Sequence, residues 1–239
     1  MENNLKQTVG EIVAKDFSTA AVFSKYGIDF CCGGGKTLED ACKEQSVDVA
    51  KLQKELNEAA QTKEGNIDFN SWSLKLLADY IEETYHTYIK EKIPVLLQFL
   101  KKIKEVHGER HPELLKIHDL FSQSAMDLSM HLQKEERILF PLIRELSEAQ
   151  KTGLPLEEQH CGSVQNPISV MKAEHLIEGD RFGKISELSG GYAVPADGCE
   201  TYRATYKMLD EFEQKLHEHI HLENNILFPK AIILEESLI

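Results

Sequence analysis

The stretch HLQKEERILFP, residues 131–141, recurs as HIHLENNILFP, residues 219–229, at a constant offset of 88 residues. The two copies share His-x3-Glu followed by Ile-Leu-Phe-Pro, and the positions between vary freely. In a helix, residues four apart lie one turn apart on the same face, so His131 and Glu135 converge, as do His219 and Glu223. His131 and Glu135 also stand in line with Leu139 and Leu142, on the side that belongs to a core. A core-facing imidazole and carboxylate persist only when paired or metal-bound.

Each copy is preceded by a second helical stretch with one histidine in a matching place. His86 lies 45 residues before His131, and His175 lies 44 before His219. The pattern predicts two helical hairpins related by a pseudo-twofold axis, aiming four imidazoles and two carboxylates at one spot. Four imidazoles and two bridging carboxylates suit a pair of ions: with an oxo or hydroxo bridge, each reaches five contacts and keeps one exchangeable position. Nitrogen and oxygen donors with an open position favour iron or manganese over structural zinc, which prefers four closed ligands. A single His-x3-Glu is more often a solvated or structural pair; two copies with the same apolar tail and matched upstream histidines reverse that preference.

The other histidines are expected to play no part. His217 and His221 sit about 200° around the helix from His219, which predicts solvent exposure. His107, His111 and His160 are expected in connections, and His118 is out of phase with His131. Asp79, Glu82 and Asp127 lie one or two turns before ligand histidines, either as surface acids or as hydrogen-bond partners of imidazole N–H groups. Glu174, adjacent to His175, is expected to point elsewhere, at most lining an entrance between helices.

Helical periodicity with almost no β-branched alternation predicts an all-α protein. Residues 1–62 hold short helices (Val9–Lys15, Thr19–Tyr26, Leu38–Gln45, Val49–Ala60), residues 63–70 read as a linker, and residues 71–239 as a four-helix bundle. The four long helices are expected near 73–106 with a bend at Pro94, 112–147, 166–188 and 200–234. A formal net charge of −13 makes nucleic acid and anionic membranes poor partners. No apolar run approaches the roughly 18–20 residues needed to span a bilayer. The opening MENNLKQTVGEIVAKDF has no basic stretch leading into an apolar one, so no secretory signal is expected. Five cysteines, two of them adjacent, do not resemble a disulfide framework, which points to a reducing cytoplasm.

Cys31 and Cys32, in GIDFCCGGGKTLEDAC, have Cα atoms about 3.8 Å apart, short of the usual disulfide span of about 4.4–6.8 Å. Gly33-Gly34-Gly35 lets backbone N–H groups turn inward, and Thr37 caps a helix with Asp40 three residues on. Both features are expected to favour thiolate, against the plainer reading of two semi-buried thiols in a tight turn. Cys42 is assigned to helix packing, and Cys161 and Cys199 to connections.

The chain resembles the repair-of-iron-centres family of hemerythrin-like di-iron proteins. TVGEIV…F…YGIDFCCGGG…LEDAC is similar to its small cysteine-bearing domain. Tyr85-His86, H-x3-EE-x-ILFP from His131, PISVMKAEH from Pro167 and H-x3-ENNILFP from His219 are similar to its hemerythrin-like bundle. The resemblance covers nearly the whole chain in order. It implies a di-iron centre, bridged by oxo or hydroxo and carboxylate groups, on His86, His131, Glu135, His175, His219 and Glu223. It also implies repair of iron–sulfur clusters damaged by oxidative or nitrosative stress, with Cys31 and Cys32 engaging the client. The implied partners are damaged iron–sulfur proteins and the diatomic gases nitric oxide and dioxygen, with homodimer formation left open. A nitric oxide or dioxygen reductase, or a non-enzymatic gas binder or sensor, remains as an alternative at this level.

Overall fold

The computed structural model describes residues 4–61, 67–153 and 162–238. His160, Cys161 and residues 62–66 of the expected linker region lie outside them. Among the described residues the secondary structure is helical, with one isolated antiparallel bridge between Thr8 and Thr37. The chain divides into two compact units.

Unit 1 comprises Met1–Asp79, Leu142–Asn166 and His217–Ile239. Its first part holds α1 (Val9–Lys15), α2 (Ala20–Lys25), α3 (Leu38–Glu44) and α4 (Val49–Gln61). Thr8 opens α1 with a reciprocal capping box: its hydroxyl accepts from Glu11 N–H, and the Glu11 carboxylate accepts from Thr8 N–H. Thr37 caps α3 by accepting from Asp40 N–H at 3.2 Å. The glycine turn is sewn to α1 by Val9 N–H to Lys36 O and Gly10 N–H to Gly34 O. Gly34 is needed there because a Cβ would stand 2.7 Å from Phe30 O and 3.1 Å from Gly10 Cα. Val9, Val13, Phe23, Leu38 and Leu52 are fully buried, and Cys42 nearly so.

Unit 2 comprises Tyr80–Pro141 and Pro167–Leu216. Phe121, Phe182 and Phe212 form its aromatic centre, with ring centroids 5.5–6.3 Å apart. Tyr202 and Tyr206 stack beside His107 and His111.

The long helical stretches fall close to the expected spans, but three are interrupted. The first is α5 (Leu74–Ile81), a π-helical turn π1 (Glu82–His86), and α6 (Thr87–His107). The second is α7 (Glu113–Lys134), π2 (Glu135–Leu139) and α8 (Phe140–Thr152). The third, α9 (Gln165–Leu188), is unbroken; the fourth is α10 (Glu200–Leu222), π3 (Glu223–Leu227) and α11 (Phe228–Leu238). Pro94, where a bend was expected, lies inside an α6 that continues through it. Two of the three interruptions fall at the repeat, and the other ends at His86. Phe140 N–H bonds Glu135 O and Phe228 N–H bonds Glu223 O, five residues back. Pro141 and Pro229 follow at once and have no N–H, so the wide turn ends where the ladder has no donor to offer.

Candidate metal centre

The π turns place the repeat's polar residues. Glu135 opens π2, Glu223 opens π3 and His86 closes π1. His86, Glu135, His219 and Glu223 are completely buried, and His131 and His175 almost so. His86 Nε2 lies 3.4 Å from Glu135 Oε2, and His131 Nε2 lies 3.3 Å from the same oxygen. His175 Nε2 is 3.1 Å from His131 Nε2. His219 Nε2 is 3.0 Å from Glu223 Oε1. Within unit 2, one ligand atom from each of His131, Glu135 and His175 lies within 4.8 Å of the others. Unit 2 thus gathers His86, His131 and His175 about Glu135, and unit 1 sets His219 against Glu223.

Two acids outside the repeat pattern orient imidazoles. Glu136 Oε1 accepts from His86 Nδ1 at 2.8 Å and from Lys90 Nζ at 2.6 Å. Glu174 Oε2 accepts from His131 Nδ1 at 2.9 Å, and its other oxygen pairs with Lys134. With the proton on Nδ1, each ring turns an Nε2 lone pair toward Glu135. The His131 hydrogen bond, against some burial and with help from Lys134, holds the Glu174 carboxyl down to about 2. Burial alone would push the Glu135 carboxyl up, but the His131 and His86 imidazoles outweigh it and hold it well below the usual carboxylate range. The Glu135 carboxylate amid buried imidazoles, with two Nε2 atoms 3.1 Å apart, is a donor set that suits cations.

Several sequence-based expectations are corrected. Glu174 does not point elsewhere; it holds a ligand-candidate imidazole, and Glu136, which the periodicity did not single out, does the same. Asp79 instead pairs with Lys75 and Arg144, and Asp127 with Gln123 and Arg181. His107 is the last residue of α6, buried, with Nε2 3.2 Å from Cys199 Sγ. His111 lies in the connection, between Glu113 and Asp197. His118 meets Lys104 and Asp119.

His217 and His221 are not solvent-exposed. The N-terminal turn covers that face: Phe30 packs edge-on to both rings, Phe17 packs on His221, and His221 Nδ1 donates to Phe30 O at 3.2 Å. Burial drives the His221 imidazole down to about 4 and lowers His217 as well. Asn225 Nδ2 reaches Phe30 O and Cys31 O, both at 3.3 Å, and Asn224 Nδ2 reaches Cys31 O at 3.4 Å. The cysteine turn is thus fastened to the residues that follow Glu223.

The turn is not arranged as expected for a thiolate at Cys31. The inward amides are taken by Asp29, whose Oδ1 accepts from Cys31 and Cys32 N–H and whose Oδ2 accepts from Gly33 N–H. Cys31 is buried; its contacts with Cys32, its burial and the Asp29 carboxylate push its thiol well above the ordinary range. Cys31, Cys32, Cys42 and Cys199 carry thiols and not disulfides.

A family model described as the hemerythrin HHE cation binding domain matches residues 77–231, about two thirds of the chain. A second, ScdA_N, described as a domain of unknown function, matches residues 5–60. The iron-sulfur cluster repair protein ScdA of Staphylococcus haemolyticus is 33% identical over 222 residues, 93% of this chain and 96% of that protein. The chain belongs to the iron–sulfur cluster repair family. Its relatives also include the iron-sulfur cluster repair protein YtfE of Musicola paradisiaca, 34% identical over 95% of this chain and 96% of that protein. A probable iron-sulfur cluster repair protein of Haemophilus influenzae is 33% identical over 95% of this chain and 97% of that protein. In the family's terms the fold is a hemerythrin-like four-helix bundle preceded by a small N-terminal helical domain, and the buried His/Glu set belongs to a cation-binding domain. Among the described residues no helix is long and apolar enough to cross a membrane.

Proposed function

We propose that this protein repairs iron–sulfur clusters damaged by oxidative or nitrosative stress, using two iron ions held by His86, His131, Glu135, His175, His219 and Glu223. One observation carries the metal assignment: three buried imidazoles gather about the fully buried Glu135 carboxylate in unit 2, and His219 stands 3.0 Å from the equally buried Glu223 in unit 1. Those are the donors that the repeat nominates for two ions bridged by both carboxylates, with two imidazoles apiece. When bound, iron would supply redox chemistry and affinity for nitric oxide or dioxygen. The chain's own residues do the rest. Glu136 and Glu174 fix the proton on Nδ1 of His86 and His131, and the complete burial of Glu135 and Glu223 keeps bulk water from the carboxylates. The relatives' names, spanning nearly the whole chain, support damaged iron–sulfur proteins as clients. Cys31 and Cys32 are the groups assigned to meet them, and a vicinal thiol pair suits a reducing cytoplasm.

The test is to mix iron-loaded protein with an enzyme whose cluster has been damaged by nitric oxide, and to follow both iron content and recovered activity. Recovery that depends on Glu135 and Glu223 supports the proposal. Loss of both ions in Glu223→Ala is expected, since a bridging carboxylate serves both. Gas binding without any recovery would overturn repair in favour of a reductase or sensor.

A further inference from the structure

The cysteine turn has the geometry of a metal site in its own right. One atom each from Asp29, Cys31 and Cys32 falls within 4.8 Å of the others. Cys31 Sγ lies 3.6 Å from Cys32 Sγ and 3.2 Å from Asp29 Oδ1. With metal–sulfur bonds of about 2.3 Å, a 3.6 Å sulfur separation subtends about 103° at a shared ion, close to the tetrahedral value of about 109°. With a metal–oxygen bond of about 2.05 Å, the 3.2 Å sulfur–oxygen separation subtends about 95°. Adjacent cysteines are poorly placed to bond to each other in an unstrained way, yet these two face one point.

The carboxylate is set in advance. Three backbone N–H groups, those of Cys31, Cys32 and Gly33, hold Asp29, at 2.9, 3.0 and 2.7 Å. Gly33 permits this closeness, since a Cβ there would meet Asp29 Oδ2 at 3.0 Å. The carbonyl side is fixed independently by Asn225 on Phe30 O and Cys31 O. The turn is therefore braced on both sides, so little ordering cost remains for an ion to meet. Asp29 is exposed and Cys32 is half-buried, which leaves one side of the three donors open to solvent.

We propose that Asp29, Cys31 and Cys32 form a three-ligand site for a divalent first-row cation, open at a fourth position to a ligand from a partner. Binding replaces the proton between Cys31 Sγ and Asp29 Oδ1 with the ion, and the two thiols release two protons to solvent; no redox change occurs. Of this class, Fe2+ is the ion that cluster repair would pass through the turn, and that choice alone rests on the repair reading. The site itself stands on geometry.

Co2+ is the informative probe, because tetrahedral thiolate cobalt has strong visible and sulfur-to-cobalt charge-transfer bands that histidine and carboxylate sites lack. Iron-loaded, full-length protein is titrated anaerobically with Co2+ under a non-thiol reductant. One equivalent should develop these bands, and Cys31→Ser or Cys32→Ser should abolish them while the hemerythrin-like iron remains. Asp29→Asn should bind at least about 10-fold more weakly, and wild-type affinity should rise by up to about 100-fold per pH unit where both thiols are protonated. X-ray absorption at the cobalt edge on the wild type, needing no variant, should show two sulfur scatterers near about 2.3 Å with oxygen completing the shell. Absence of charge transfer in the wild type, its survival in either cysteine variant, or a cobalt shell without sulfur would overturn the site. No client protein enters the measurement, so a failure here is separate from a failure of repair.

Discussion

Replacing Glu136 perturbs the proposed centre without removing a ligand. Its Oε1 accepts from His86 Nδ1 at 2.8 Å and from Lys90 at 2.6 Å, and its side chain is 20% exposed. A hydrogen bond to a charged group contributes about 1.5–3 kcal/mol. Partial exposure and Lys90, which can follow the ring or turn to water, reduce the loss in Glu136→Ala to about 1–2 kcal/mol. At about 1.4 kcal/mol per decade, that is a roughly 5–30-fold weaker hold on the ion that His86 serves. Glu136→Gln keeps an acceptor oxygen and should fall between wild type and alanine. The assay is iron release to a coloured ferrous chelator, followed in time after rapid mixing. Glu136→Ala should release one equivalent about 5–30-fold faster than wild type and the second near the wild-type rate. Release of both ions at the wild-type rate would refute the claim that Glu136 orients a ligand.

Gly34→Ala should lower unfolding stability by about 1–3 kcal/mol in denaturant titration, because its Cβ would meet Phe30 O and Gly10 Cα; an unchanged midpoint would show that the turn gives way freely. His221→Ala removes a ring packed on Phe17 and Phe30, at a cost of about 2–4 kcal/mol, and metal analysis should still find the full complement of iron; loss of both ions would put His221 among the ligands. Burial, partly opposed by the Tyr192 hydroxyl, pushes the Glu213 carboxyl up to about 7. The folded state therefore holds the proton more tightly than the unfolded one. Its contribution is complete below the unfolded value near about 4.5 and is lost as pH rises through about 7, by up to about 3 kcal/mol. Glu213→Gln should flatten that decline in unfolding free energy between about pH 5 and 8, and a parallel decline in wild type and variant would sink the assignment.

The periodic part of this protein was legible because a helix writes its buried face into the sequence every three to four residues. The offset of 88 residues between the His-x3-Glu copies was enough to nominate His131, Glu135, His219 and Glu223, and the matched spacing added His86 and His175. What helical spacing could not show was contact between helices. Glu136 and Glu174 are sequence neighbours of Glu135 and His175, so a helical wheel turns them away from the shared face, yet each bonds an imidazole on another helix. His217 and His221 misled for the same reason: the wheel puts them opposite His219, and only the packed N-terminal turn makes that side an interior. The glycines around Cys31 and Cys32 correctly announced inward amides; their acceptor, Asp29, stands two residues upstream of Cys31, where no spacing signal marks it. Two of the π turns had only a faint mark, the proline that closes each ILFP, and π1 had none.

The interleaving of the two units sets an order of events during synthesis. Unit 2 ends at Leu216, whereas unit 1 draws on the first 79 residues, on 142–166, and on the segment that begins at His217. A nascent chain emerging N-terminus first can assemble unit 2 while the cysteine turn still lacks Asn224 and Asn225, which fasten it. Cys31 and Cys32 thus leave the ribosome long before the segment that braces their turn. For that interval the turn stands without its brace, and Cys31 gains its burial only in the finished fold.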